Sequence, residues 1–254
     1  MIDTHAHLYS KKYQDDRREM ILRAQEAGVQ RVYLPAIDSE SHQAMLDLEA
    51  EWPGYCFAMM GLHPCSVTDT AVEQELAIVE KYLGERQWAG IGETGIDLYW
   101  DKTFFEQQKT AFARQIEWAK DLNLPVIIHA RESNEECLDV VKAGQDGRLR
   151  GIFHCFSGNA EQARRMIDLG FVLGIGGTVT YPKSDLPEVL KDIPLQHIVL
   201  ETDAPYLPPV PYRGKRNETA YIRHVADKLS EINSVPLSEV IEVTTQNAQR
   251  LFAL

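Results

Sequence analysis

The chain has 254 residues, which is long enough for two small domains and also matches one α/β barrel of about 250 residues. Hydrophobic residues make up 44% and charged residues 25%, a composition that can bury a substantial core and argues against disorder. A formal net charge of −12 argues against a protein that coats long nucleic acids, because such binding needs many Lys and Arg contacts to phosphates. This net charge is still compatible with a protein that binds only the end of a single nucleic acid strand.

Targeting and membrane signals are missing from the sequence. No apolar run approaches the roughly 20 residues that a membrane span needs. The first ten residues, MIDTHAHLYS, lack the basic and apolar regions of a signal peptide. We therefore expect one cytoplasmic domain over 1–254, with neither a membrane nor an obligate protein partner.

Short apolar segments alternate with longer amphipathic segments along the chain. Strands are predicted near 2–7, 29–36, 55–62, 88–93, 125–129, 150–155, 171–176 and 197–202. Helices are predicted at 14–27, 39–50, 72–84, 103–122, 134–143, 159–169, 185–191, 217–231 and 237–252. This order predicts an α/β fold of the TIM (β/α)8 barrel type. An open doubly wound sheet is the alternative, although the Gly-rich phosphate loop usual in that fold is missing.

The strongest local signal is the segment THAH at the end of the first predicted strand. His5 and His7 are two residues apart, so their side chains point to the same side of a strand and can share one metal ion. Taken alone, this pair is as consistent with surface or packed histidines as with metal binding.

Four more polar residues stand at predicted strand ends. Glu93 ends the fourth strand, His129 the fifth, His154 the sixth and Asp203 the eighth. The carboxyl ends of the strands in a parallel barrel meet at one rim, where functional groups collect. Four imidazoles and two carboxylates form a nitrogen and oxygen ligand set that suits zinc, manganese or iron better than calcium. The sequence therefore predicts a metal centre at this rim.

Several motifs together resemble the TatD family of metal-dependent hydrolases over essentially the whole chain. They are DTHAHL at 3–8, GLHP at 61–64, GETGID at 92–97, Gln107 and Gln115, LPVIIHAR at 124–131, FHCFSG at 153–158, ETDAPYL at 201–207 and RGKRN at 213–217. Two positions depart from the family pattern: Leu98 stands where an aromatic is common, and Thr219 where proline is common. These departures weaken the transfer of substrate contacts but leave the ligand set intact.

The resemblance implies a (β/α)8 barrel, bound divalent ions and phosphodiester hydrolysis, typically by a deoxyribonuclease that trims strands from the 3′ end. It implies one to three ions, and we expect two, of zinc, manganese or magnesium. His5, His7 and Asp203 would hold one ion and His129 and His154 the other, with Glu93 as the bridge. Asp203 is the expected general base.

Candidate substrate contacts lie beside the predicted ligands. Two divalent ions outweigh two carboxylates, so the site should attract an anion such as a DNA strand end or a small phosphodiester. The expected substrate-binding residues are His63, Arg131, Arg213 and Arg216, although a solvated basic loop or a packed histidine would also explain them. Rim aromatics that could stack on bases, or simply pack, are Tyr99, Trp100, Phe156 and Tyr206.

Two other functions remain open from the sequence. The same centre could act as a metal-dependent esterase or amidase, such as a D-aminoacyl-tRNA deacylase. A barrel that binds a metal or a partner without catalysis is the third possibility. The complete ligand set argues against it, because a catalytically dead relative is expected to lose a ligand or the base.

Overall fold

Eight short parallel strands form the centre of the structure, a computed structural model that describes residues 1–252. They are β1 (Ile2–Asp3), β2 (Arg31–Pro35), β3 (Cys56–Met59), β4 (Ile91–Asp97), β5 (Val126–Arg131), β6 (Gly151–Phe153), β7 (Phe171–Ile175) and β8 (Ile198–Leu200). Most are shorter than predicted, whereas β4 and β5 extend beyond their predicted ends.

The strands close into a barrel. Strands β1 to β3 pair in chain order, and so do β4 to β8. Parallel bridges between Met60 and Ile91 and between Ala6 and Ala204 join the two sets at both seams. The predicted TIM-type barrel is therefore confirmed.

Nine helices cover the barrel within the described residues. They are α1 (Arg17–Glu26), α2 (Ser39–Glu51), α3 (Val72–Leu83), α4 (Phe105–Asp121), α5 (Asn134–Gly144), α6 (Ala160–Asp168), α7 (Leu186–Leu190), α8 (Ile222–Asn233) and α9 (Leu237–Phe252). Helix α8 begins five residues later than predicted, since a 3-10 turn occupies Thr219–Tyr221. Over residues 1–252, no helix is both long and apolar enough to cross a membrane.

Two apolar layers hold the barrel together. Side chains such as Val32 and Leu34 pack outward against the helices, whereas Tyr33 between them points inward. The inner layer ends against α9, where the rings of Tyr33 and Phe252 stack with centroids 3.6 Å apart. Because α9 closes one end with apolar side chains, polar chemistry is confined to the opposite rim.

Strand β4 differs most from its prediction. It continues four residues past Glu93 to Asp97, and its pairing with β5 shifts between Ile91 and Thr94. Such irregularities re-aim side chains at barrel rims. Gly95 allows the continuation, because a Cβ at this residue would lie 2.0 Å from the His129 carbonyl oxygen. Glu93 consequently lies inside the rim, and Asp97 takes the strand end.

Candidate metal centre

His5 and His7 lie where the chain leaves β1. The backbone N–H of His7 donates to the Ala204 carbonyl at 2.7 Å, which fixes this segment against the strand β8 side. The two Nε2 atoms are 3.2 Å apart. They lie 3.2 and 3.5 Å from Glu93 Oε2, and 3.7 and 3.6 Å from Asp203 Oδ1. We call these four residues the A group.

A second set of atoms converges on the other oxygen of the same carboxylate. Glu93 Oε1 lies 2.7 Å from His129 Nδ1, 3.4 Å from His63 Nε2 and 3.6 Å from His154 Nε2. We call Glu93, His63, His129 and His154 the B group. The carboxylate thus contributes one oxygen to each group, as a bridging ligand must.

The two groups fit divalent cations. Imidazole lone pairs and carboxylate oxygens that face one point repel each other unless a proton or a cation lies between them. His5 and His154 are also stacked face to face, with ring centroids 3.5 Å apart, so the two groups are adjacent. Nitrogen and oxygen ligands of this kind accept zinc, manganese or iron.

Burial and charge act in opposite directions on the two carboxylates. Burial alone would raise the pKa of Glu93, but His63, His5 and His154 outweigh it and hold this pKa well below its usual range. Burial raises the pKa of Asp203 to about 6, against the effect of His154 and His7. Glu93 is therefore suited to permanent ionisation, and Asp203 to accepting a proton near neutral pH.

Three of the histidines are oriented by a neighbour on the ring nitrogen that faces away from the cluster. The Tyr9 hydroxyl lies 2.8 Å from His7 Nδ1 and donates its own proton to the Pro35 carbonyl at 2.5 Å. It must therefore accept from His7 Nδ1–H, which leaves the His7 Nε2 lone pair directed at the A group.

Asp97 and Glu201 support the other two histidines. Asp97 Oδ2 lies 2.8 Å from His129 Nε2, and its Oδ1 accepts the backbone N–H groups of Tyr99 and Trp100 at 3.0 Å. Glu201 Oε1 lies 3.0 Å from His154 Nδ1, an ion-pair contact outside hydrogen-bond geometry, and accepts the Cys155 backbone N–H at 2.7 Å. Carboxylates in such positions fix ring orientation and strengthen the ligand.

Replacing Tyr9 with phenylalanine should weaken metal binding. The change leaves His7 Nδ1–H without its acceptor, and losses of this kind lower metal affinity about 10–100-fold. Competition with a chromogenic chelator measures the effect. The Tyr82→Phe variant removes a hydroxyl from α3, outside the barrel, and should keep the affinity of the unmodified protein; equal affinity in both variants would show that Tyr9 does not orient His7.

Asp203 is fixed by buried polar residues on both sides of it. The Asp3 carboxylate accepts the backbone N–H and the hydroxyl of Thr202 at 3.0 and 2.6 Å. Asn217 Nδ2 donates to the carbonyls of Thr202 and Tyr206 at 2.7 and 2.6 Å. Asp203 itself has a φ of 55°, in the left-handed region that aspartate adopts more readily than most residues other than glycine. The bonds on either side hold it there.

Removal of the Asn217 side chain should destabilise the protein and impair the site. The Asn217→Ala change leaves the buried Thr202 carbonyl and the part-buried Tyr206 carbonyl without this donor, which we expect to cost about 2–4 kcal/mol of unfolding free energy. Urea denaturation measures this loss. The partly exposed Asn233, whose Nδ2 donates once to the Leu229 carbonyl, provides the comparison, and Asn233→Ala should cost less than about 1 kcal/mol. A similar cost for both would contradict the role of Asn217.

The predicted substrate-binding residues fall into different surroundings. Arg131 lines the cleft above the metal centre, and its guanidinium stacks 4.0 Å from the Tyr99 ring centroid. Arg213 is exposed and lies 4.4 Å over the Tyr181 ring. His63 lies in the B group, where Nδ1 accepts the Cys65 N–H and Nε2 faces Glu93. His63 was predicted as a substrate contact, and the structure places it among the side chains that face Glu93.

Arg216 has a different environment from the one predicted. Its two terminal nitrogens bond both oxygens of Asp16 at 2.6 Å, and one of them reaches Glu218 at 3.3 Å. The guanidinium also lies 4.5 Å from the Tyr13 ring centroid. These contacts occupy the donors that a phosphate would need. They favour a structural role, in which Arg216 anchors the loop that carries Asp203.

Both the sequence and the fold are similar to those of known proteins. The sequence model described as TatD related DNase matches residues 2–253. The metal-dependent hydrolase YabD of Bacillus subtilis is 37% identical, with 100% of this chain and 99% of YabD covered. The 3′-5′ ssDNA/RNA exonuclease TatD of Yersinia pseudotuberculosis is 32% identical over 100% of both chains. The crystal structure of YjjV, a TatD homologue from Escherichia coli, superposes with a TM-score of 0.91 at 33% identity, covering 100% of this chain and 98% of YjjV.

Proposed function

The chain belongs to the TatD related DNase family of metal-dependent hydrolases, and we propose that it is a 3′-to-5′ exonuclease that acts on single-stranded DNA and RNA. One observation carries the proposal: Glu93 shares its two oxygens between two ligand groups at the floor of an open cleft. The name of the Yersinia relative favours this activity over the deacylase alternative.

We assign the ligands as the family resemblance implies, and the contacts around Glu93 and Asp203 are consistent with this assignment. His5, His7 and Asp203 would hold one ion, and His129 and His154 the other, with Glu93 between them. When bound, two divalent ions supply a water of lowered pKa and stabilise negative charge on phosphate oxygens.

The protein's own residues would then direct the reaction. Asp203 accepts the proton of the attacking water, a role that fits its raised pKa and its place at the edge of the A group. Arg131 would orient the phosphate: stacking on Tyr99 occupies the flat face of its guanidinium and leaves the N–H edge free to donate.

A labelled single strand tests the activity. Purified protein is incubated with 5′-labelled single-stranded DNA or RNA and Mg²⁺, Mn²⁺ or Zn²⁺, and the products are resolved at single-nucleotide resolution. We expect a ladder that shortens from the 3′ end, that a chelator abolishes and that an Asp203→Ala variant does not produce.

The deacylase alternative is tested in parallel with D-aminoacyl-tRNA. Release of the amino acid from tRNA whose phosphodiesters stay intact would favour that alternative. If the protein shortens the strand with none of the three metals, the proposed nuclease activity is wrong.

A further inference from the structure

Cys155 has different surroundings from the other cysteines of the chain. Cys56 and Cys137 are buried in the apolar layer between the barrel and the helices, and Cys65 is exposed in a turn. Cys155 is partly buried and lines the cleft above the metal centre. Strand β6 ends at Phe153, so strand alternation does not govern Cys155, which has a φ of 46°. The proposed mechanism assigns no role to this thiol.

The thiol lies beside an imidazole and a carboxylate. His154, Cys155 and Glu201 each offer one ligand atom, and these three atoms lie within 4.8 Å of one another. Glu201 Oε1 lies 3.0 Å from His154 Nδ1 and accepts the Cys155 backbone N–H at 2.7 Å. Gly174 leaves room for the carboxylate, because a Cβ there would lie 2.2 Å from Glu201 Oε2. We call His154, Cys155 and Glu201 the C group.

The C group contains polar atoms with unused bonding capacity. Within residues 1–252, neither His154 Nδ1 nor Glu201 Oε2 has a hydrogen-bond partner, although both atoms are buried. Buried polar atoms usually have a partner, and a cation can serve as one. Imidazole, thiolate and carboxylate together suit a thiophilic ion such as zinc or cadmium, whereas magnesium and manganese prefer oxygen ligands. The A and B groups contain no sulfur, so the C group differs from them in the ions it selects.

The B and C groups compete for one imidazole ring. His154 faces Glu93 in the B group through Nε2, and faces Glu201 in the C group through Nδ1. A neutral imidazole has one lone pair and one N–H, so an ion bound at Nδ1 requires the proton to be on Nε2. With that proton in place, Nε2 cannot bind an ion beside Glu93. An ion in the C group therefore removes one ligand from the metal centre.

We infer that the C group is an inhibitory site for thiophilic divalent ions, such as cadmium or zinc in excess of the catalytic ions. The ion binds the Cys155 sulfur, and the thiol proton is released to solvent. His154 Nδ1 loses its proton to the ion, and Nε2 takes one up. Metal binding by the C group is independent of the proposed nuclease activity, and only the inhibition rests on that activity.

Ultraviolet absorption tests the site directly. A thiolate bound to cadmium gives a charge-transfer band that histidine and carboxylate ligands do not give. We expect this band when Mn²⁺-loaded protein is titrated with Cd²⁺, and we expect Cys155→Ala to lack it. The matched control is Cys65→Ala, which should keep the band because Cys65 belongs to none of the ligand groups within residues 1–252. No band in the unmodified protein, or an equal band in Cys155→Ala, would overturn the site.

Inhibition and metal content test the competition for His154. Without Cd²⁺, Cys155→Ala should shorten single strands with Mn²⁺ as fast as the unmodified protein does. Its half-inhibitory Cd²⁺ concentration should be about tenfold higher or more, since loss of a supporting residue alone lowers metal affinity about 10–100-fold. At equal Cd²⁺, elemental analysis should show that Cys155→Ala retains more manganese.

The controls for this test separate the two possible sites of cadmium action. Cys155→Ser removes the sulfur but keeps a polar atom, and it should behave as Cys155→Ala does. Circular dichroism shows whether each variant folds. Equal half-inhibitory concentrations and equal manganese content in the unmodified protein and the folded variants would show that Cd²⁺ acts only at the A and B groups, and would overturn the competition.

The outcomes distinguish this inference from the proposed function. If the unmodified protein shortens no strand with any metal, the nuclease proposal is wrong, and the cadmium band still decides whether the C group binds an ion. If strands are shortened and no band depends on Cys155, the function stands and the inhibitory site is refuted.

Discussion

Replacing Asp203 with asparagine is expected to lower kcat for single-strand shortening by about 10³-fold, within the range that a positioned general base contributes. The amide is nearly isosteric, but it cannot accept the proton of the attacking water. In the A group, the Asp203 Oδ1 atom that would do so lies 3.7 Å from His5 Nε2 and 3.6 Å from His7 Nε2. Steady-state kinetics with a labelled oligonucleotide measures the loss.

The fold and the metal should be less affected than the rate in the Asp203→Asn variant. Asp139, exposed on α5, provides the matched control, and Asp139→Asn should retain full activity. Comparable circular dichroism spectra and melting temperatures would show that both variants fold. An Asp203→Asn variant that keeps more than about a tenth of the activity would rule out this residue as the base.

Replacing Glu93 with glutamine is expected to remove most metal binding as well as activity. The carboxylate is 2% exposed and serves both ligand groups, so its loss removes a ligand from each and the negative charge that balances them. Loss of a supporting residue alone lowers metal affinity 10–100-fold, so loss of a shared ligand should cost about 100-fold or more. Elemental analysis after dialysis measures the number of ions that remain bound.

A surface glutamate gives the comparison for this change. Glu161 is exposed in the first turn of α6, and Glu161→Gln should keep the metal content of the unmodified protein. Full metal content in Glu93→Gln would show that the histidines bind the ions without a bridge. Retained activity at reduced content would indicate that one ion is enough for hydrolysis.

Local sequence pattern predicted most of the fold. The eight apolar segments and their amphipathic partners became eight strands and the helices around them, because burial on both faces leaves an unmistakable apolar run. The start of α8 was predicted too early. Asn217 and Glu218 bond residues far away in the chain, including Thr202 and Arg23, and no local pattern reports such contacts.

Only some of the residues that support the metal centre carry a signal in the sequence. Glu201 does, because it shares strand parity with Asp203 and can orient a neighbouring histidine, and it lies beside His154. Asp97 carries a detectable signal, since it shares strand parity with Glu93 and Gly95, but its role depends on β4 extending beyond Glu93. Tyr9, Asp3 and Asn217 carry no comparable signal. Each of the three makes a hydrogen bond to another residue of the site, and the closed barrel holds the two partners in contact.

The sequence by itself determined which side chains reach the rim, because alternation along a strand and the common direction of parallel strands place His5, His7, His129 and His154 there in any barrel of this kind. Only the tertiary structure decided which neighbours each of these side chains has. Closure of the barrel divides the oxygens of Glu93 between two histidine groups and places Arg216 in a bidentate ion pair with Asp16. It also places Arg131 in the cleft beside His129, His154 and Asp203. Contacts between residues far apart in sequence depend on barrel closure and register, which local patterns do not encode.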